Sequence, residues 1–143
     1  MEYRELLFYQ KAQLVVKQIN AEIQTWPKSF QALEISRQLF RAAVSVGANI
    51  AEGHGRHEGA EYIHYLIIAQ GSANEIDHWL HTSIVCKLGN LQTLNQIIEV
   101  NDETRKMLTT TISSLRKNIH AFHESPDPYT PTPYPPNNEN DNL

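Results

Sequence analysis

Apolar positions recur along this chain at the three- and four-residue spacing of a helical face, in four successive blocks. In the first, about residues 3–24, Phe8, Ala12, Val15 and Ile19 share a face while Lys11, Lys17 and Glu22 lie elsewhere, the pattern of an amphipathic helix. Pro27 ends its vicinity, because proline biases Trp26 away from helical geometry and has no N–H to give. Trp26 and Phe30 are expected to plug that end of the molecule. The second block, about 32–53, puts Leu39, Ala43, Val46 and Ile50 in register and stops at the run GHGRHEG, where Gly53 or Gly55 is expected to turn left-handed. The third, about 59–88, aligns Leu66, Ala69, Ala73, Ile76, Leu80 and Ile84, and Gly89 closes it. The fourth, about 91–123, carries Leu108, Ile112, Leu115, Ile119 and Phe122 in a heptad-like pattern, with Asn101 and Asp102 expected to loosen its middle. Helices of about 30 residues are about 45 Å long. With short loops between them they predict an all-α, antiparallel up-down four-helix bundle over residues 1–123.

From Ser125 the pattern is lost. Six of the seven prolines fall in the Pro/Asn-rich stretch 124–143, which has no apolar periodicity and too little apolar surface to bury, so a disordered tail is expected there. Tyr129 and Tyr134 among those prolines read either as a linear motif in extended polyproline form or as part of a solubilising tail.

Charge sharpens this division. The chain has 16 acids and 12 bases, and the tail holds Glu124, Asp127, Glu139 and Asp141 with no Lys or Arg. Removing those four acids leaves 12 of each sign, so the bundle is neutral. Neutrality argues against a domain coated in nucleic acid, while a patch or ring on an oligomer stays open. Cys86, the single cysteine, excludes an intrachain disulfide and fits a reducing compartment; near a helix end it is expected to be a buried small hydrophobe. MEYRELLFYQ has no secretory pattern, and no apolar run approaches the roughly 18 to 20 residues that span a bilayer, so a soluble cytoplasmic protein is expected.

The chemistry on offer is sparse. Between Ala42 and Gly53 most side chains are small, so that this helix admits close approach. A polar stripe, Arg41, Ser45, Asn49 and Glu52, follows helical spacing on the same segment and should find partners across a helix or subunit contact, since burying such groups unpaired is costly. No neighbouring base activates Ser45. Three His-x-x-His pairs, His54/His57, His78/His81 and His120/His123, could each offer two imidazoles to a metal, or contact carbonyls and solvent. Glu61/His64 and Glu75/His78 repeat the Glu-x-x-His unit of di-iron bundles, but both lie on one helix about 21 Å apart and cannot share a cluster within one chain. The glycine-rich turn lacks the spacing and the preceding strand of a nucleotide loop. No catalytic nucleophile is assignable, and no enzyme activity, cofactor or metal is expected.

Gln38, Leu39, Arg41–Ser45, Ala48–Gly53, Gly55 and Arg56, with Glu61, Tyr62, Ile63, Tyr65, Leu66, Ala69, Gly71, Ser72, Glu75 and Ile76, resemble the two signatures of a bacterial four-helix-bundle family. That family includes proteins encoded in intervening sequences of large-subunit rRNA genes and the accessory proteins of diversity-generating retroelements. The sequence departs from it at Phe40 and His64, where the family usually has Arg, at Gly47, where it usually has Pro, and at Glu58, where a Ser or Thr cap is usual. The resemblance implies a ring-like homopentamer, with a packing and oligomer signature at Arg41, Ser45, Asn49, Glu52 and Gly53, that binds a reverse transcriptase and its template RNA. The candidate phosphate contacts are Arg41, Arg56, Arg105, Lys106, Arg116 and Lys117. The competing reading is a structural or partner-binding bundle with no nucleic-acid role, favoured by the neutral bundle and by the two missing arginines.

Overall fold

The computed structural model describes residues 1–56 and 59–123, the last three as backbone only. The expectations for His57, Glu58, Phe122, His123 and the segment 124–143 therefore lie outside the described residues. A 3-10 turn, Tyr3–Glu5, precedes four helices: α1 Leu7–Ile23, α2 Phe30–Arg56, α3 Gly59–Val85 and α4 Leu91–His123. Each packs on its neighbours in sequence and α4 closes back on α1, whereas the diagonal pairs make no close backbone approach among the described residues. This is the expected antiparallel four-helix bundle.

Local signals start and stop the helices. Ser29 Oγ accepts the Ala32 N–H at 3.2 Å and so caps α2, and Asn90 Oδ1 accepts the Thr93 N–H at 3.0 Å and caps α4. At the end of α3 the Leu88 N–H reaches Ser83 O at 2.9 Å and the Lys87 N–H reaches Ile84 O at 3.0 Å. With Lys87 at φ 55° this is a Schellman motif, and Gly89 follows at φ 69°. The left-handed glycine expected near 53–55 is not there: α2 runs through Gly53 and Gly55 to Arg56. Gly53 serves close approach instead, since a Cβ on it would stand 2.7 Å from Tyr65 Cβ.

The core consists of the expected stripes, with Ile19, Leu39, Ile50, Leu66, Ile76, Leu80 and Leu108 fully buried. Leu94 and Ile97 extend it into the first half of α4. Between these and Leu108 the stripe is carried by Asn101 and Thr104, both buried. Asn101 does not loosen the helix: its Nδ2 donates to Ala73 O on α3 at 2.9 Å, so a polar residue in the core is satisfied across a helix pair. Two further expectations fail. Phe30 is 78% exposed and only Trp26, at 7%, plugs the end. Cys86 is exposed, because α3 stops at Val85 and the turn carries the cysteine out of the core register.

Candidate nucleic-acid interface

The polar stripe of α2 is used mostly within the subunit. Ser45 Oγ meets Ser72 Oγ of α3 at 2.9 Å, and Asn49 Nδ2 donates to Ser45 O at 2.8 Å and to Ser45 Oγ at 3.1 Å. Glu52 Oε1 accepts both Arg56 Nη2, at 2.8 Å, and Arg56 Nε, at 3.1 Å. The Arg56 guanidinium also lies 5.7 Å from the Tyr65 ring, and its pKa is raised, chiefly by the hydrogen bond to Glu52. Ser45, Asn49 and Gly53 thus form the α2/α3 seam, while Arg41 points away from it and is exposed.

The six candidate cations do not converge on one site. Arg41 stands with Arg37 beside Glu34 and Gln38 on α2, in a shallow hollow of about 390 Å³. Arg56 is occupied at the α2/α3 end, as described. The remaining four lie on α4. Arg105 is held there by Asp102 Oδ1 at 2.9 Å, Asn74 Oδ1 at 2.9 Å and, more loosely, Asp77 Oδ1 at 3.7 Å. Lys106, Arg116 and Lys117 are exposed and make no ion pair among the described residues.

What unites the α4 group is that it falls in the carboxylate-free part of its helix, after Glu103. From Thr104 to His120 the helix has four cations and no carboxylate. Thr109, Thr110, Ser113 and Ser114, all exposed, supply hydroxyls between the cations. Lys106, Thr110, Ser113 and Lys117 fall at helical spacing and share a face. An open groove of about 550 Å³ runs beside them, lined by Arg105, Lys106, Thr109 and Thr110 of α4 with Asp102 and Asn74. Donors alternating with fixed positive charge can bind phosphate oxygens without reading bases. Charge was visible in the sequence; the pairing that removes Arg56 and Arg105 from easy use depends on Glu52, Asp77 and Asn74 and was not.

The histidines have other company. His54 Nε2 lies 2.8 Å from Met1 O, His81 Nε2 lies 3.4 Å from Asp77 Oδ1, and His78 packs edge-on against Trp79. Among the described residues no three His, Cys, Asp or Glu side chains gather as a metal set. No described helix is long and apolar enough to cross a membrane.

Comparison with known proteins gives the lineage. No curated protein matches the chain significantly. Among solved structures it is similar to a protein of unknown function from the S23 ribosomal protein family of Bacteroides thetaiotaomicron. The two share 27% identity at a TM-score of 0.68, over 74% of this chain and 98% of that one. Residues 4–110 match the model of the 23S rRNA-intervening sequence proteins. That match spans α1 to α3 and the first two-thirds of α4, and the chain belongs to the 23S rRNA-intervening sequence protein family.

Proposed function

We propose that this protein is a non-enzymatic adaptor that binds RNA through the exposed face of α4 and works as a homo-oligomer. The observation that carries the reading is the segment Thr104–His120, with its four cations, its hydroxyls and its lack of carboxylates, in a bundle that is neutral as a whole. On this face of α4 Lys106, Arg116 and Lys117 have no ion-pair partner among the described residues, and three cations on one subunit make a weak phosphate site. Repetition around a ring, pentameric by resemblance, multiplies it through effective concentration. A reverse transcriptase is the protein partner that the resemblance implies.

The test is RNA binding between about 50 and 200 mM salt, with light scattering on the same sample. Affinity is expected to fall steeply with salt, and the triple variant K106Q/R116Q/K117Q to reduce the salt slope by about 2 to 3 per subunit engaged. R56Q and R105Q are expected to change it less, because those guanidinium groups are already paired. Absence of binding at the lowest salt would overturn the reading.

A second reading is supported by α2. Leu33, Phe40 and Val44 are 52%, 37% and 40% exposed and follow one another along a single strip of the helix, in line with Phe30. Such a strip suits a protein surface, either a further copy or another partner. Co-purification from the native host distinguishes the two readings: protein without RNA favours this one.

A further inference from the structure

We infer that the RNA taken by α4 is double-stranded. The row Lys106, Thr110, Ser113 and Lys117 lies across its minor groove, with one lysine on the phosphates of each strand and the two hydroxyls on ribose 2′-OH groups between them. This preference rests on the RNA-binding function proposed above. Exposed cations alone do not single out the row, since Lys17, Lys28, Arg37 and Lys87 are also exposed and make no ion pair among the described residues. Those four differ in setting. Lys17, Lys28 and Lys87 lie on three different segments, and Arg37 shares its hollow with Glu34. On α4 the chemistry is ordered: cation, hydroxyl, hydroxyl, cation along one helical face, within the carboxylate-free stretch Thr104–His120.

The hydroxyls of this helix are divided by use. Thr109 Oγ1 donates to Arg105 O at 2.9 Å and accepts from Gln70 Nε2 at 2.6 Å, and Thr111 Oγ1 donates to Met107 O at 2.8 Å. Thr110 and Ser113 on the row, with Ser114 beside it, are exposed and make no hydrogen bond among the described residues. Each can therefore both donate to a ligand and accept from it. The threonines that bind the helix's own carbonyls lie off the row.

Lys106 and Lys117 are about 16 Å apart along the axis, at 1.5 Å per residue, and their flexible stems adjust either end. Across the minor groove of A-form RNA, from one strand to the other, stand phosphate, ribose 2′-OH, base edges, ribose 2′-OH and phosphate, on a surface wide and shallow enough for a helix to lie over it. The two orders match. B-form DNA has no 2′-OH, and its minor groove, about 6 Å wide, does not admit a helix of about 10 to 12 Å. Single strands are held largely by stacking on aromatic side chains, and Thr104–His120 contains no Phe, Tyr or Trp.

The experiment measures binding of the full chain to four probes of one sequence, about 20 bases long, at about 100 mM salt. They are an RNA duplex, the same duplex 2′-O-methylated on both strands, the DNA duplex and one RNA strand alone. The RNA duplex is expected to bind about 5- to 20-fold more tightly than each of the others. T110A/S113A, which keeps the charge and suits an exposed helix position, is expected to bring the RNA duplex and its 2′-O-methyl form close to parity with the salt slope unchanged. K106Q/K117Q is expected to weaken both and to lower the slope by about 2 per subunit engaged. R37Q is expected to leave the preference intact, and its loss there would move the site off α4 and overturn the inference. A single strand bound as tightly as the duplex, or a preference that survives T110A/S113A, would also overturn it while leaving RNA binding in place. No binding of any probe at the lowest salt would remove the RNA-binding function and the preference together.

Discussion

The buried carboxylate of Glu22 accepts the backbone N–H of Asn90 at 2.8 Å, so the last turn of α1 holds the first residue before α4. The same Oε1 accepts the indole N–H of Trp26 at 3.4 Å. Gly89, left-handed at φ 69°, leaves the space, since a Cβ on it would collide with the Glu22 carboxylate and the Trp26 indole. Three chain segments are joined at one oxygen.

Removing that oxygen leaves two N–H groups without an acceptor, at about 1 to 3 kcal/mol each. Glu22→Ala is expected to destabilise the protein by about 2 to 4 kcal/mol in urea melts, whereas Glu22→Gln, which keeps a carbonyl acceptor, costs about 1 kcal/mol. Gly89→Ala is expected to destabilise by a comparable amount, from the clash together with the strained φ.

Two glycines in helix interiors predict opposite outcomes for one substitution. Gly53→Ala sets a methyl 2.7 Å from Tyr65 Cβ, an atom too near the backbone to swing aside. Overpacking of about 1 to 3 kcal/mol outweighs the helix-propensity gain of about 1 kcal/mol, and the melting temperature falls. Nothing lies within 4 Å of a Cβ built on Gly71, so Gly71→Ala keeps the propensity gain and the melting temperature rises.

Lys87 holds a left-handed conformation at the Schellman turn, with φ 55°, where glycine is unstrained. The conformation costs about 1 to 2 kcal/mol for an L-residue, and glycine gives back about 0.4 to 1 kcal/mol through the unfolded chain. Lys87→Gly is expected to stabilise by roughly 0.5 to 1 kcal/mol in equilibrium denaturation.

Partial burial between α2 and α3 raises the pKa of Tyr62. Its ionised form is then favoured by the unfolded chain. Its contribution to stability is complete below the unfolded value of about 10 and is lost as pH rises through the folded value. The difference in stability between the protein and Tyr62→Phe is therefore expected to be flat from pH 7 to 9 and to move in favour of the variant above pH 10. Parallel alkaline melts of the two proteins check it.

The fold was legible because repeated small and branched residues, such as Ala69, Ala73 and Ile76 on α3, mark a core face wherever they occur. Misreadings came where a neighbour in space overrides a local signal. Gly53 and Gly55 look like a stop, but α2 runs past both to Arg56, and at Gly53 the missing side chain makes room for Tyr62 and Tyr65 of α3. Asn101 looks like a weak point until Ala73 O is placed beside it. Phe30 looks like core, but Ser29 fixes where α2 begins and the resulting register turns the ring outward. The candidate interface was legible to the same extent: the cations were evident, and the carboxylates that occupy some of them come from other turns and another helix.

The bundle has chemically different poles. Met1 O lies against His54, and Gly59 at the start of α3 lies against Ile119 near the end of α4, so the beginning of α1 and the end of α4 share one pole. The Glu22–Asn90 contact lies at the other. Under tension applied through those two helix ends, α1 and α4 separate as a zipper does, turn by turn from the free pole. The pair Lys11–Glu103 opens partway along and the Glu22 contact opens last. Pulling in that geometry meets one rung at a time, so the bundle is mechanically soft along the line of its own helix ends, however stable it is to urea.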